Sequence, residues 1–351
     1  MLLKERIAAF TKLGNFLSQF TAEKIERNDD IWHNNLFFDP FKLQIKRAKE
    51  YNGWFVDNHV LSAFESWSKE LNKSNLERWT SSYTLDNLNS KTIAIIMAGN
   101  IPLVGFHDFL SVLLSGHKVR IKQSSNDKYF LPLIAKYLEH VEPQFTGFIQ
   151  FSDDKLEDFD AAIATGSNNT ARYFDHYFGK YPNIIRKNRN SVAILTGNET
   201  TEELNALGED IFRYFGLGCR SVSKLFVPRN YNFDPFFKAM YAYKEVINYQ
   251  KYQNNYDYNK TVYLMSEFKL LENGFLMLKE DASYSSPIAT LFYEYYDDMA
   301  NLKEKLKSDR DFIQCVVSNQ LENAVPFGKT QEPELSDYAD GVDTMRFLSK
   351  L

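Results

Sequence analysis

Residues 91–125, KTIAIIMAGNIPLVGFHDFLSVLLSGHKVRIKQSS, decide the fold of this chain. Two short apolar runs, residues 92–97 and Lys118–Lys122, flank residues 102–114, which carry apolar side chains at helical spacing and are closed by Gly116. The pattern predicts a strand, a helix and a second strand. Because a strand that returns through a helix runs parallel to the first one, the unit predicts a parallel sheet covered by helices on both faces.

The same alternation continues towards the C-terminus. Helices are predicted at residues 128–140 and 169–178, and strands at residues 147–151, 161–164 and 191–195. We therefore expect three parts: a helical N-terminal region over residues 1–88, an open parallel α/β domain over residues 89–190, and a second α/β domain over residues 191–351. The last segment of the chain can return to the first α/β domain.

The bulk composition excludes several classes of function. The 351 residues are 44% hydrophobic and carry a formal net charge of -5, with a pI of about 5.8. This charge gives no basic surface for nucleic acid, and no run reaches the roughly 18 apolar residues of a membrane-spanning helix. The two cysteines and six histidines show no metal-binding spacing. The start, MLLKER, lacks the apolar stretch of a signal peptide, so we expect a cytoplasmic protein.

Cys219 is the first candidate for chemistry. It lies in the stretch FGLGCR, after a predicted helix that begins with the capping box of Thr200 and Glu203 and before a short strand over residues 224–228. A thiol at such a glycine-flanked junction can be exposed in a cleft and act as a nucleophile. The alternative is a small structural cysteine, which is the expectation for Cys315 in the apolar strand pattern FIQCVV.

Three further candidates come directly after predicted strands, where parallel α/β sheets bind ligands. Asn100 can direct its amide at a developing negative charge, or simply cap the next helix. Lys122 and Ser125 follow the next strand, where a lysine holds a ribose hydroxyl or a phosphate, or merely ends the strand in solvent. Gly166 and Ser167 precede a helix N-terminus, which is an anion site or an ordinary cap. Neither G-x-G-x-x-G nor G-x-x-x-x-G-K-[ST] is present, which argues against the ordinary Rossmann fingerprint and the P-loop.

Taken together and in order, these segments resemble motifs of the aldehyde dehydrogenase superfamily. The matching segments are Asn100-Ile101-Pro102-Leu103, Lys122-Gln123-Ser124, Thr165-Gly166-Ser167, residues 191–195, Gly216-Leu217-Gly218-Cys219 and Pro326-Phe327-Gly328. The resemblance runs from about Lys91 to the C-terminus. It implies an α/β fold with an open parallel cofactor-binding sheet, a second α/β catalytic domain and a helical N-terminal region.

The same resemblance implies a role for each candidate residue. Cys219 is the nucleophile, and Asn100 stabilises the oxyanion together with the backbone amide of Cys219. The residues expected to bind the cofactor are Lys122, Ser125, Gly166 and Ser167. Relatives that prefer NAD carry a glutamate at the position of Ser125; since serine does not repel a 2′-phosphate, NADPH is the expected cofactor and NADH the alternative. Another family glutamate, which orients the nicotinamide ribose, maps near Ser283, so the resemblance supplies no carboxylate for that contact.

A departure from the family pattern changes the expected reaction. Aldehyde-oxidising relatives carry a glutamate that activates water to hydrolyse the acyl-cysteine, and its position falls near Arg186. Without this base, a thioester on Cys219 resists hydrolysis and can instead accept a hydride or exchange with another thiol. Together with the strings NGWF, residues 52–55, and DYADGVDTM, residues 337–345, this resembles the fatty acyl-CoA reductases that supply aldehyde in bacterial bioluminescence. The resemblance implies NAD(P)H-dependent reduction of an acyl-CoA to the aldehyde.

Two other functions remain open from the sequence alone. An acyl transferase would pass the acyl group from Cys219 to another carrier without reduction, and a non-catalytic member of the fold would bind acyl groups or a partner enzyme. An acyl-carrier protein is an alternative donor to acyl-CoA, and the protein is expected to form a homo-oligomer or to bind an acyl-supplying enzyme. Residues 241–263, rich in Tyr, Asn and Lys, are expected to form a solvated insertion, with a lid over the acyl chain as the alternative.

Overall fold

The structure is a computed structural model that describes residues 1–86 and 89–351. The predicted boundary at residue 88 therefore lies outside the described residues. The chain folds into two compact units, of which the first contains Met1–Lys187 and Glu334–Leu351 and the second contains Asn188–Pro333. The C-terminal segment thus belongs to the first unit.

Four helices open the first unit. They are α1 (Leu3–Leu17), α2 (Asn34–Tyr51), α3 (Asp57–Glu70) and α4 (Lys73–Thr80). Phe10, Leu13 and Leu17 recur at helical spacing along α1 and are fully buried. Phe10 packs edge to face against Phe109 and Phe145 of the following α/β region. The predicted helical N-terminal region is confirmed, and it shares one core with the sheet that follows.

A parallel sheet forms the centre of the first unit. Its strands are β1 (Thr92–Ile96), β2 (Lys118–Lys122), β3 (Ile149–Phe151), β4 (Ala161–Thr165) and β5 (Asn183–Arg186), and its helices are α5 (Phe106–Leu114), α6 (Phe130–Val141) and α7 (Asn168–Phe178). The strand order is β3-β2-β1-β4-β5, and each pairing is parallel. The predicted open parallel sheet is therefore confirmed. Because β1 lies between β2 and β4, the strand order reverses there, which opens a crevice at the carboxyl ends of β1 and β4.

The second unit contains another α/β sheet. Its elements are β6 (Asn190–Ile194), α8 (Thr201–Phe212), β7 (Val222–Pro228), α9 (Asp234–Met240), α10 (Gln250–Met265), β8 (Leu270–Glu272), β9 (Met277–Glu280), β10 (Thr290–Tyr296), α11 (Met299–Ser308) and β11 (Ile313–Val317). The strand order is β11-β6-β7-β10-β9-β8, and only the pairing of β8 with β9 is antiparallel among the described strands. At the start of α8 the predicted capping box is present, since Thr200 and Glu203 each accept the other's backbone N–H.

Residues 241–263 are exposed over most of their length, as predicted, but they are helical and partly anchored in the core. They form a turn of 3-10 helix and most of α10, and two of their tyrosines, Tyr252 and Tyr256, are only 2% and 5% exposed. Phe215 packs against the rings of Tyr249 and Tyr252. The segment is therefore solvated over most of its length but anchored by a few buried side chains, because tyrosine buries its ring while its hydroxyl finds a hydrogen-bond partner.

The C-terminal segment ends in α12 (Thr344–Leu348) and carries the string DYADGVDTM. The hydroxyl of Tyr338 accepts a hydrogen bond from Trp79 Nε1 at 2.7 Å and shares another with the hydroxyl of Tyr83 at 2.7 Å. Tyr83 also donates to the carboxylate of Asp343 at 3.1 Å, and Met345 is fully buried. This string therefore anchors the end of the chain against the N-terminal helices of the first unit.

Candidate active site

The predicted cofactor residues and the predicted oxyanion residue Asn100 lie at one edge of the sheet in the first unit. The carboxyl ends of β2 and β4 lie level with that of β1, one on each side of it. Asn100 follows β1, Lys122 and Ser125 lie at the end of β2, and Gly166 and Ser167 follow β4. All five therefore lie at the carboxyl edge, beside the reversal of strand order, where open α/β sheets bind ligands.

Asn100 lies in an irregular loop between β1 and α5. Because α5 begins at Phe106 with Gly105 as its cap residue, the interpretation of Asn100 as a helix cap is wrong, and the residue is exposed. Leu103 has a left-handed φ of 57°, a conformation that costs a non-glycine residue about 1–2 kcal/mol. This is why the helix predicted from residue 102 starts later. The N–H of Leu103 donates to Asp127 Oδ2 at 2.9 Å.

The loop after β2, residues 123–127, packs tightly against the Asn100 loop. A Cβ added to Gly99 would lie 2.6 Å from the Cβ of Ser124, so only glycine permits this approach. On the other side, Asn52 of the NGWF string donates from Nδ2 to the backbone oxygen of Asn126 at 3.3 Å. The NGWF string thus supports the loop that follows the predicted cofactor lysine.

Asp127 has the most perturbed carboxyl group of this edge. Burial raises the pKa of Asp127 to about 7, and the hydrogen bond from the Leu103 N–H opposes part of that rise. Gln123 Nε2 donates to the backbone oxygen of Asp127 at 2.9 Å. Hydrogen bonds therefore hold the backbone of Asp127 as well as its side chain. The sequence patterns gave no signal for Asp127, because its partner Leu103 lies in another loop.

Lys122 and Ser125 are accessible at this edge. Lys122 Nζ donates to the backbone oxygen of Asp154 at 3.2 Å, and Ser125 is exposed. A lysine ammonium carries three N–H donors, so the bond to Asp154 does not exhaust its capacity. The geometry is compatible with the predicted contact of Lys122 to a ribose or phosphate, which stays a prediction.

Gly166 and Ser167 form the turn between β4 and α7. Ser167 caps the helix, since its Oγ accepts the N–H of Thr170 at 3.2 Å. A Cβ at Gly166 would lie 2.9 Å from the ring of Phe174 and 3.1 Å from the Cβ of Thr170, so the turn requires glycine. The cap alternative thus holds for Ser167, while the role of this turn in binding an anion stays a prediction.

Cys219 lies in the second unit, in the turn that leads into β7, and is exposed. The N–H of Ser221 donates to the oxygen of Gly218 at 3.0 Å, and Ser191 Oγ of β6 donates to the oxygen of Cys219 at 2.9 Å. These bonds fix the backbone while the side chain stays accessible. Cys315, by contrast, is buried in β11, as predicted.

A left-handed stretch of backbone precedes the Cys219 turn. Tyr214, Phe215 and Gly216 have φ angles of 55°, 56° and 74°. The predicted helix through Phe215 therefore ends at Phe212. Two of the three residues carry aromatic rings that are buried, which offsets the backbone strain, and such strain is frequent beside functional groups.

Asp210, a buried aspartate of α8, binds the segment that starts with Pro326-Phe327-Gly328. This segment in turn contacts the Cys219 turn. The fully buried carboxylate of Asp210 accepts the N–H of Gly328 at 2.7 Å, the N–H of Thr330 at 2.9 Å and the hydroxyl of Thr330 at 2.8 Å. Arg220, next to Cys219, donates to the backbone oxygen of Thr330. Burial raises the pKa of Asp210, and the hydrogen bonds oppose that rise. No local pattern indicated Asp210, because its partners are far away in the sequence.

Arg186 ends β5 directly beside the Gly166 turn, with Thr165 as its partner in β4. Its guanidinium is buried, pairs with the buried carboxylate of Asp108 in α5 and donates to Thr344 Oγ1 at 2.9 Å. A guanidinium stays protonated and has no acceptor, so it cannot serve as a general base. The arginine anchors the DYADGVDTM string at its threonine.

The described residues were searched for clusters of metal ligands and for helices able to cross a membrane. Within residues 1–86 and 89–351, no cluster of three or more His, Cys, Asp or Glu side chains could hold a metal ion. Over the same residues, none of the helices combines the length and the apolar character needed to cross a bilayer.

The fold is that of the aldehyde dehydrogenases. Aldehyde dehydrogenase 21 from Physcomitrella patens, in complex with the reaction product succinate, superimposes with a TM-score of 0.68 at 13% identity, covering 100% of this chain and 84% of that chain. The NAD+ complex of aldehyde dehydrogenase from Bacillus cereus gives 0.60 at 14% identity, over 90% and 72%. A mutant of the P. syringae indole-3-acetaldehyde dehydrogenase AldA, in complex with NAD+ and IAA, gives 0.62 at 12% identity, over 92% and 74%. At these identities the likeness shows the fold alone.

The sequence indicates which branch of this superfamily the chain resembles. The family described as LuxC: Acyl-CoA reductase (LuxC) matches residues 69–243, a stretch that includes Asn100, Lys122, Gly166 and Cys219. The predicted resemblance to the acyl-CoA reductase branch of the aldehyde dehydrogenase superfamily is thereby confirmed. A search of curated proteins gives no match.

Proposed function

We propose that this chain reduces an acyl-CoA, with a fatty acyl group as the expected substrate, to the aldehyde through an acyl-cysteine on Cys219. The observation that carries the proposal is the buried Arg186, paired with Asp108, near which the resemblance places the water-activating glutamate of aldehyde-oxidising relatives. Hydrolysis of an acyl-cysteine needs a base at that position, and a guanidinium cannot supply one. The family match over residues 69–243 supports acyl-CoA as the substrate class.

The first step is the transfer of the acyl group to the enzyme. The Cys219 thiolate adds to the thioester carbonyl, a carbon–sulfur bond forms, and the carbonyl oxygen becomes an oxyanion. The resemblance assigns stabilisation of this oxyanion to the Asn100 amide and the backbone N–H of Cys219. When the oxyanion collapses, the bond to coenzyme A breaks and coenzyme A leaves as its thiolate. The exposed, backbone-anchored position of Cys219 supports this role.

The second step reduces the acyl-cysteine. A reduced nicotinamide, when bound, supplies a hydride to the thioester carbonyl. The same amide groups then hold the new oxyanion, whose collapse re-forms the carbonyl and breaks the bond to Cys219 Sγ. Aldehyde leaves, and Cys219 returns as the thiolate without consuming water. Atoms and charges therefore balance with one acyl-CoA and one hydride donor.

The carboxyl edge of the first sheet fits a nicotinamide dinucleotide. Gly166 keeps the N-terminus of α7 clear of a Cβ, Lys122 supplies donors for a ribose, and the neutral Ser125 tolerates a 2′-phosphate. The Bacillus cereus relative is an NAD+ complex, which supports the cofactor class. NADPH is the proposed preference and NADH the alternative; the ratio of kcat/KM for the two nucleotides measures it.

The test is consumption of NAD(P)H with acyl-CoAs of graded chain length, together with direct detection of the aldehyde. Cys219→Ala should abolish both signals, whereas Cys315→Ala, which changes the buried cysteine of β11, should retain them if the variant folds. Undiminished turnover in Cys219→Ala would overturn the mechanism. Release of coenzyme A without NAD(P)H consumption would instead indicate an acyl transferase. Repeating the assay with acyl-carrier-protein thioesters identifies the donor.

A further inference from the structure

We propose that Asp127 is a positioning residue that holds the Asn100 loop in the shape that its oxyanion role requires. The inference rests on the proposed function, because the amide that the loop presents is that of Asn100. Asp127 touches neither substrate nor reacting atoms in this scheme. It acts through the backbone of Leu103.

The hydrogen bonds around Leu103 show how the loop is held. Its N–H donates to Asp127 Oδ2 at 2.9 Å, and its carbonyl oxygen accepts the N–H of Phe106 at the start of α5 at 2.9 Å. Pro102 has no N–H and a fixed φ, so the Leu103 N–H is the first backbone donor after Ile101 that can tie the loop down. Leu103 is also left-handed at φ 57°, a conformation that persists only where the surroundings impose it.

The same aspartate joins this loop to the loop of the predicted cofactor residues. Asp127 ends residues 123–127, directly after Lys122, and Gly99 at the start of the Asn100 loop lies against Ser124. Asn52 steadies the same segment through the oxygen of Asn126. The Asp127 carboxylate therefore connects the two loops at the carboxyl edge of the sheet. Its removal should alter the conformation of both loops.

The protonation of Asp127 should tune this connection. Burial raises its pKa to about 7. The two lysines that flank residues 123–127 in the sequence have partners other than Asp127: Lys122 donates to the oxygen of Asp154, and Lys128 pairs with Asp153 at 2.5 Å. Because the closed loop binds the proton more tightly than a solvated aspartate with a pKa of 3.8 does, protonation favours closure, and the loop should open progressively more readily as the pH rises from 3.8 to about 7 and no further above that.

Three variants test the proposal. Asp127→Ala removes the acceptor, Asp127→Asn keeps a neutral acceptor, and Asp160→Ala is the matched control. Asp160 also accepts a backbone N–H, that of Thr92 at 2.8 Å, but at the amino end of β1. Hydrogen exchange of residues 99–106 by mass spectrometry reads the loop directly, and thermal unfolding confirms that each variant folds. Steady-state kinetics with acyl-CoA and NAD(P)H read the consequence.

The expected result is faster exchange in the Asn100 loop and a loss of kcat on the order of tenfold or more in Asp127→Ala, with little change in KM for acyl-CoA. Asp160→Ala should change neither quantity. Asp127→Asn should recover most of kcat and lose the change in loop protection that the wild type shows between pH 3.8 and about 7.

Each contrary outcome has a separate meaning. Unchanged exchange in Asp127→Ala would show that the carboxylate does not hold the loop. Faster exchange with wild-type kcat would show that the loop shape does not matter for catalysis, and either result overturns the proposal. A wild-type protein that does not consume NAD(P)H with acyl-CoA would contradict the proposed function instead, while the exchange comparison still reports on Asp127.

Discussion

The Asn100 loop of the first unit and the Cys219 turn of the second unit are held in place in similar ways. Both are irregular, both contain or directly follow left-handed residues other than glycine, and both are tied to an aspartate side chain that accepts backbone N–H, half-buried in one case and fully buried in the other. The supporting residues are Asp127 and Asp210. In each case the residue that carries the proposed chemistry is exposed, and the carboxylate that shapes its backbone is not part of the recognisable motif.

The two aspartates differ in the number of hydrogen bonds they accept. Asp210 accepts three, from Gly328 and Thr330, whereas the Asp127 side chain accepts one, from Leu103. Donors to a carboxylate stabilise its charged form and oppose the effect of burial on the pKa. Because Asp210 accepts more hydrogen bonds, we expect the Cys219 turn to be held more firmly than the Asn100 loop.

Asp210→Ala should give the largest loss of stability among these variants. It tests whether the Cys219 turn depends on its aspartate. It leaves three donors without their acceptor, two of them buried, which should cost roughly 3–5 kcal/mol of unfolding free energy. Urea unfolding measures this loss, and alkylation of the thiol by iodoacetamide reports on the Cys219 turn. Asp298→Ala, which removes an exposed helix cap of the same unit, should cost only about 1 kcal/mol. Equal losses in the two variants would contradict the role assigned to Asp210.

Asn100→Ala should be the next largest effect, and it separates chemistry from support. Because the side chain is exposed, the unfolding midpoint should stay close to that of the wild type, whereas kcat should fall by about 10² to 10³, or ~3 kcal/mol, through loss of one oxyanion donor. Steady-state kinetics and urea unfolding on the same preparation measure both. Asn100→Asp, which keeps the size but brings a negative charge, should be at least as impaired. Retained activity in either variant would remove Asn100 from the mechanism.

The regular parts of both regions were predictable because their sequence signals are local. β2 lies at the predicted residues, Lys118–Lys122, since a short apolar run between polar ends fixes both of its limits. The capping box at Thr200 and Glu203 likewise fixed the start of α8. The ordered motifs also placed Asn100 and Cys219 on loops rather than inside helices or strands.

The remaining features depend on contacts that no local pattern encodes. The late start of α5 follows from the left-handed Leu103, whose conformation is fixed by an aspartate in another loop. The early end of α8 follows from Tyr214 and Phe215, whose rings are buried against the second unit's own core. β5 was missed because four residues are too few to show a period, and the partners of Arg186 lie far away in the sequence.

Gly328→Ala should give the smallest energetic effect among the three changes. It tests how firmly Asp210 holds the segment that contains Gly328. Gly328 has a φ of 79°, and a Cβ there would lie 3.1 Å from the Cβ of Ala206. Gly274, in the same unit, has a φ of 91°, but a Cβ there would meet no heavy atom within 4 Å. Gly274→Ala should therefore cost about 1 kcal/mol from backbone strain alone. Gly328→Ala should cost roughly 2 kcal/mol, because strain and crowding add, and only this variant should change the rate of Cys219 alkylation. Equal unfolding midpoints and equal alkylation rates would mean that the segment has room to shift, and that Asp210 holds the Cys219 turn less firmly than its three hydrogen bonds indicate.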